Sequence, residues 1–375
     1  MRDPFQAYQL ELEVLGPVHV GTGEMFPAYA YQLDIKNHRA RTLNLDRLLA
    51  ILSPSQLENY LQAVSRGPMQ AHKTLKELGN NGLVDFSPAV ERDIKTSKSF
   101  EETVANAVDE AALEFRPLPV NPLGPYIPGS SLKGALRTAW IYHQTEGYEW
   151  RLDSHNHWSV SKGEGTVRLP GSAFDPRGPF PRVKANINTD FEAKVLGYMG
   201  NKGPDLHRDP FRSLKVADSA PLTKTLLNRL RVFHRRAGAD MDLVLLAETV
   251  QRNEKIRFDL RFQPGLVKNS LEPESLAEAC SAFYQFVYQT EAQFAHEHGM
   301  VNANSVYLEI AKRLDDPAYD DGFPLRFGFG SGGLATTLAL IIDGTKIPAT
   351  RKGAGGTDAQ MSYPLGWVWG QLKPL

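Results

Sequence analysis

The sequence predicts an α+β fold in two compact modules, and three observations carry that prediction. β-like stretches flank one strongly patterned helix in the first half, ending near Trp140, and one long helix around Leu276 to Val287 in the second. The 375 residues suffice for two domains at roughly 150 residues each. Apolar residues make up 42% and charged residues 23%, which excludes a largely disordered or collagen-like chain.

Gln9 to Val20 alternates, with Leu10, Leu12 and Val14 on one face, and reads as a strand that stops at the turn Gly21-Thr22-Gly23. Tyr29 to Ile35 reads as a second strand. From about Asp46 to Phe115 the spacing turns helical: Ser53-Pro54 has the form of an N-cap and first-position pair, and Gly79 that of a helix end. Val104, Ala107, Val108, Ala111, Ala112 and Phe115 continue the pattern, so residues 46–115 are expected to be a helical insertion. Pro117, Pro119, Pro122 and Pro125 then enforce an extended approach to Tyr126-Ile127. Residues 151–209, rich in Gly, Pro, His and charge, are expected to be a long, partly ordered loop region. Phe211 to Asp218 restores order. Met241 to Val250 and Lys255 to Phe262 have the form of a hairpin across Gln251-Arg252-Asn253-Glu254. Leu276, Ala279, Cys280, Phe283, Phe286 and Val287 share a helical stripe, which makes Cys280 a core residue rather than a nucleophile. Leu325 to Phe329, a glycine cluster and Leu334 to Ile342 read as β-like. The two modules are expected to meet between residues 220 and 240, giving residues 1–230 and 231–375.

Lys and Arg number 42 against 43 Asp and Glu, so no global field draws the chain to nucleic acid or membrane, and any polyanion site must be local. A single cysteine excludes an intramolecular disulfide, a Cys-rich zinc site and a CxxC redox pair, and fits a reducing cytoplasm. The first residues lack the apolar run of a signal peptide, and no stretch approaches the ~20 apolar residues that span a bilayer. Neither metal nor cofactor is expected.

The most informative stretch is Tyr126-Ile-Pro-Gly-Ser-Ser-Leu-Lys-Gly-Ala-Leu-Arg-Thr-Ala-Trp140. Leu132, Ala135, Leu136, Ala139 and Trp140 form the buried stripe of one helix, while Lys133 and Arg137 are neighbours one turn apart on another face. Ser130 or Ser131 is placed to cap it. With Gly129, two hydroxyls and two cations around its N-terminus, this helix reads either as a phosphate site or as a capped helix with a solvated basic face. The Lys precedes the Gly, so it is not a Walker A loop. Gly328-Phe-Gly330-Ser-Gly332-Gly333 matches GxGxxG, but no acidic residue follows at the distance that closes a dinucleotide-binding unit. Those small residues would still let a backbone or a phosphate approach closely. Lys224 to Arg236 forms a basic strip containing Arg229 and Arg231, readable as an RNA track or a solvated face. His155 and His157 lack a third ligand at metal-binding spacing, and Glu24, Asp34 and Asp218 are isolated acids.

The stretch from Tyr126 to Ala139 resembles the signature of the CRISPR RAMP superfamily. Leu15-Gly-Pro-Val-His-Val-Gly-Thr-Gly-Glu24, Asp209-Pro-Phe-Arg-Ser-Leu-Lys-Val-Ala-Asp-Ser219, Leu246-Ala-Glu-Thr-Val250 and Phe327 to Thr336 resemble its other blocks in order. Tyr363-Pro-Leu-Gly-Trp-Val368 resembles the end of the branch that caps the 3′ end of the guide RNA in type III-A Csm complexes. The resemblance implies two ferredoxin-like (RRM-like) modules and a non-catalytic subunit that binds crRNA beside other RAMP subunits and supports its maturation, with trimming left to a partner nuclease. It also implies RNA contacts at Gly129, Ser130, Ser131, Lys133 and Arg137, at His19, Gly21 and Gly23, and at Gly328, Gly330, Ser331, Gly332 and Gly333. Two nuclease alternatives stay open. A metal-dependent target slicer would need a loop acid, for which Glu24 and Asp34 are the candidates. A metal-independent repeat-RNA endonuclease would need a histidine: His19, His143, His155 or His157.

Overall fold

The computed structural model describes residues 5–375 apart from 110–111, 147–148, 153–157, 163–164, 169–191, 242 and 337–347. Strands of three or more residues are numbered in chain order. β1 (Gln6–Val14) buries Leu10, Leu12 and Val14 on one face, as its alternation requires. It ends six residues before Val20, and Val18 makes only an isolated bridge to Val250. β2 (Tyr31–Asp34) and β3 (Arg39–Leu43) form a hairpin, followed by α1 (Leu45–Ile51), α2 (Pro54–Ser65) and α3 (Pro68–Asn80). Ser53 caps α2 in a reciprocal box with Gln56, and Pro54 takes the first helical position. The insertion is not wholly helical. It contains β4 (Val90–Thr96), and α4 (Lys98–Ala105) stops well short of Phe115, which bridges to Phe26 while Val108 is exposed.

α5 (Gly129–Gln144) is the signature helix. The expected loop region begins instead with a small sheet of β5 (Glu149–Leu152), β6 (Trp158–Lys162) and β7 (Gly165–Arg168). There follow β8 (Leu214–Val216), β9 (Thr225–His234), β10 (Leu245–Val250), β11 (Lys255–Phe262), α6 (Pro273–Glu297), α7 (Val301–Asp315), β12 (Gly322–Arg326), α8 (Gly332–Thr336), β13 (Thr350–Ala354) and β14 (Trp367–Pro374). The β-like reading of Leu334 to Ile342 gives way to α8 in its first residues, and 337–342 lie outside the described residues.

One sheet has the antiparallel order β8-β11-β1-β14-β12. In chain order the strands of this sheet and the two long helices packed on it run β1, α5, β8, β11, α6, β12 and β14. α5 and α6 share the main core with this sheet: Leu132, Leu136 and Ala139 belong with Cys280, Phe283 and Tyr284. Cys280 is fully buried and burial pushes its thiol pKa up, so the core assignment is what the structure shows. The second sheet runs from Tyr363–Pro364 through β13, β9, β4, β3 and β2, with β10 and Ala239–Asp240 also paired to β9. One expectation changes here. β10 and β11 are not a hairpin, because β10 pairs with β9 in one sheet and β11 with β1 and β8 in the other. A boundary at residue 230 falls inside β9, and the first sheet draws strands from both sides of it. Among the described residues no helix is long and apolar enough to cross a membrane.

Candidate nucleic-acid interface

The signature helix is held inward. Its N-cap is Pro128 with no side-chain cap, so neither Ser130, which is exposed, nor Ser131 caps it. Asp218 does that work from outside the helix, its Oδ1 accepting the Gly129 N–H at 2.9 Å, where a carboxylate also suits the helix dipole. Gly129 is needed because a Cβ there would lie 2.4 Å from the Ala217 carbonyl oxygen. Lys133 Nζ donates to the carbonyls of Phe211 at 2.8 Å and Leu214 at 2.7 Å, and burial, reinforced by Lys215, holds its pKa below the usual lysine value. Arg137 pairs with Glu192 and with Asp209 at 3.1 Å, and its guanidinium lies 4.8 Å from the Phe211 ring centre. The expected free basic face is therefore absent: both cations tie α5 to the segment leading into β8.

An open cleft of about 420 Å³ lies elsewhere, lined by His19, Gly21, Gly23, Glu24, Arg116, Ser131, Gly328 and Phe329 with Val20. Three expected segments thus meet, the first loop, the start of α5 and the glycine-rich loop. The Phe329 N–H donates to the His19 carbonyl at 2.8 Å. Gly328, with φ +85°, allows that approach, since its Cβ would sit 2.5 Å from the same oxygen. His19 is almost fully buried. Its Nδ1 lies 2.7 Å from the Glu248 carbonyl, which can only accept, so Nδ1 carries the hydrogen and Nε2 is left as an acceptor. That Nε2 has no hydrogen-bond partner among the described residues. Burial, aided by Arg116, holds the imidazole pKa below its ordinary value against the opposing pull of Glu248, so the ring is neutral.

Two cations flank the Phe329 ring: the Arg116 guanidinium 5.6 Å and the Lys352 ammonium 4.4 Å from its centre. Among the described residues neither is ion-paired with a carboxylate, in contrast to Arg137. Burial, with Arg116 next in effect, lowers the Lys352 pKa. Sequence reading missed Arg116, Phe329 and Lys352. Arg116 was hidden against a proline run, although a lone aromatic inside a glycine cluster was a usable signal.

The other expected residues are scattered. Ser331 is buried and its hydroxyl donates to the Gly328 carbonyl at 2.8 Å, while Gly330, Gly332 and Gly333 line an adjoining pocket. Arg229 and Arg231 sit on β9, the first 3.5 Å from Thr103 Oγ1 and the second 3.6 Å from Asp240; neither lines the cleft. The basic strip is the central strand of the second sheet. His143 faces Glu146 at 4.0 Å near the end of α5, and His155 and His157 lie outside the described residues. Asp34 accepts from Asn37 Nδ2 at 2.8 Å, away from the cleft, whereas Glu24 lines it. Among the described residues no three metal-ligating side chains cluster.

The RAMP superfamily profile matches residues 11–291. The CRISPR system Cms protein Csm5 of Enterococcus italicus is 29% identical over 205 residues, 51% of this chain and 55% of that protein, so the match spans about half of that relative. Csm5 of Streptococcus thermophilus is 22% identical over 355 residues, 92% of this chain and 83% of that one. A chain from the cryo-EM structure of a type III-A Csm-crRNA-target RNA ternary complex superposes with a TM-score of 0.66 at 20% identity, covering 97% of this chain and 100% of that one. The crystal structure of T. onnurineus Csm5 gives 0.62 at 19% identity, covering 96% and 99%. The profile runs from within β1 through the signature helix to most of α6, and on that match the chain belongs to the RAMP superfamily.

Proposed function

We propose that the chain is the Csm5-type subunit of a type III-A Csm complex in the cytoplasm. In this reading it holds the 3′ region of the crRNA in the cleft beside other RAMP subunits, and it cuts no RNA itself. The two sheets then correspond to two ferredoxin-like modules, with the first-sheet module assembled from both ends of the chain. The observation that supports RNA at the cleft is the pair Arg116 and Lys352, held by the Phe329 ring rather than by carboxylates. A cation resting on an aromatic face keeps its charge for a phosphate, whereas one already paired with an acid does not. His19 forms part of the cleft wall, and the small residues at 21, 23 and 328 let a sugar-phosphate backbone approach. In the assembled complex, photo-crosslinking from single modified nucleotides should reach this subunit from the 3′ end of the crRNA. Crosslinks confined to its 5′ end would defeat the reading.

A second reading rests on the same His19: an unpartnered Nε2 in a cleft beside Glu24 is what a metal-independent RNA endonuclease would use as its base. Incubation of labelled repeat-derived and target RNAs with the purified chain separates the two. The proposed binding role predicts intact RNA with or without Mg²⁺ or Mn²⁺, with trimming supplied by another nuclease. Metal-independent cleavage lost in His19→Gln would replace it.

A further inference from the structure

We propose that the pocket on the far side of the glycine-rich loop is a phosphate-binding site. It measures about 220 Å³, and its lining includes Glu291, Arg326, Thr350, Arg351, Lys352 and Gly332. Arg326, Arg351 and Glu291 are 1%, 8% and 3% exposed, so their charges are withdrawn from water. Glu291 Oε2 serves both guanidiniums, accepting from Arg351 Nε at 2.8 Å and lying 3.3 Å from Arg326 Nη1. Arg326 Nε donates to the Leu365 carbonyl, and Arg351 Nη1 to the carbonyls of Pro348 and Thr350. Arg351 Nη2 is buried with no hydrogen-bond partner among the described residues.

Among the described residues Glu291 is the one acid in the lining against three cations. Positive charge buried without its counter-charge is costly, and the ring faces of Phe294 and Trp367, 4.0 and 5.3 Å from Arg351 and Arg326, offset only part of it. A phosphate oxyanion supplies the missing charge and matches the guanidinium fork. Gly332, with φ +78°, contributes no side chain to the wall and leaves room for it. Lys352 joins this pocket to the cleft, because its ammonium also lies over Phe329. The phosphate is thus either one of a bound RNA or a free ion, and the inference rests on the RNA reading only for that source.

The probe is inorganic phosphate against the full chain, read by thermal melting at constant ionic strength with chloride as the reference. Phosphate should raise the Tm by a few degrees. Because Arg351 is buried, the variant is Thr350→Glu, which brings a carboxylate from an exposed position to the pocket and leaves the Arg326–Glu291–Arg351 group intact. It should abolish the phosphate-specific shift while remaining folded, and Lys352→Gln should reduce it. Equal Tm in phosphate and chloride, or an equal phosphate shift in Thr350→Glu, overturns the proposal. RNA oligomers ending in a 3′-phosphate or a 3′-hydroxyl then identify the source. Tighter binding of the phosphate-ended oligomer, lost in Thr350→Glu, assigns a terminal phosphate; equal binding of both, each competing with phosphate, assigns an internal phosphodiester. A phosphate shift untouched by RNA assigns the free ion, and it would stand even if the cleft bound no RNA.

Discussion

A lysine on a helix surface and a lysine beside a phenyl ring look alike in a sequence, yet their partners decide what they can do. Lys133 ends on two carbonyls, so Lys133→Ala should cost about 2 kcal/mol of stability, the range for hydrogen bonds to a charged donor, while RNA affinity of the folded protein changes less than twofold. Denaturant titration alongside RNA titration separates the two effects. The helical spacing of Lys133 and Arg137 was legible, but the carbonyls of Phe211 and Leu214 and the acids Glu192 and Asp209 lie more than fifty residues away and no local pattern announces them. His19 yields a pH prediction. Burial lowers its pKa, as it does for His72, so below the unfolded value of about 6.5 the unfolded chain takes up protons that the folded chain refuses. Stability should therefore fall as pH drops from 7 towards 5, and His19→Gln should flatten part of that fall in thermal melts. The carboxylates of Glu11, Glu13 and Asp34 act in a separate window, since Lys255, Arg313 and Asn37 hold their pKa values down and their support is lost only below about pH 4.5.

The elements divide by how local their causes are. The stripe from Leu132 to Ala139 and the Ser53-Pro54 start of α2 were readable, because periodicity and capping act within a few residues. The start of α5 misled because Ser130 and Ser131 have capping chemistry, while the acceptor that serves Gly129 comes from Asp218. Gly129→Ala tests that close packing directly: the new Cβ would meet the carbonyls of Ala217 and Val216, and the loss should be about 2 kcal/mol despite alanine's better helix propensity. Refolding of the variant with unchanged stability would mean that α5 can move away from β8 at little cost. The false hairpin has a similar origin. β11 alternates cleanly, but the turn before it carries Asn253 at φ +65°, whose N–H donates to Val14 rather than closing onto β10.

At the scale of the whole molecule, β1 lies between β11 and β14, pairing Gln6 with Phe262 and Tyr8 with Pro374. Pairings of such separation leave no trace in local sequence, which is why an α+β composition could be read while the pairing of β1 with strands of the second half could not. The same closure brings the first loop, the start of α5 and the glycine-rich loop to one cleft, and each was marked in advance by its glycines or hydroxyls. What the sequence hid was which cations serve that cleft. The salt dependence of single-stranded crRNA binding by the full chain tests this most directly, comparing wild type with Arg116→Gln and Lys352→Gln and with Lys133→Gln and Arg137→Gln at matched folded fraction. Each cleft variant should weaken binding about tenfold and reduce the log–log salt slope by about 0.7, the increment of one phosphate contact on a single strand, while the two helix variants leave the slope unchanged. A slope that falls with Lys133→Gln and Arg137→Gln but not with Arg116→Gln and Lys352→Gln would contradict the account and return the RNA to the signature helix.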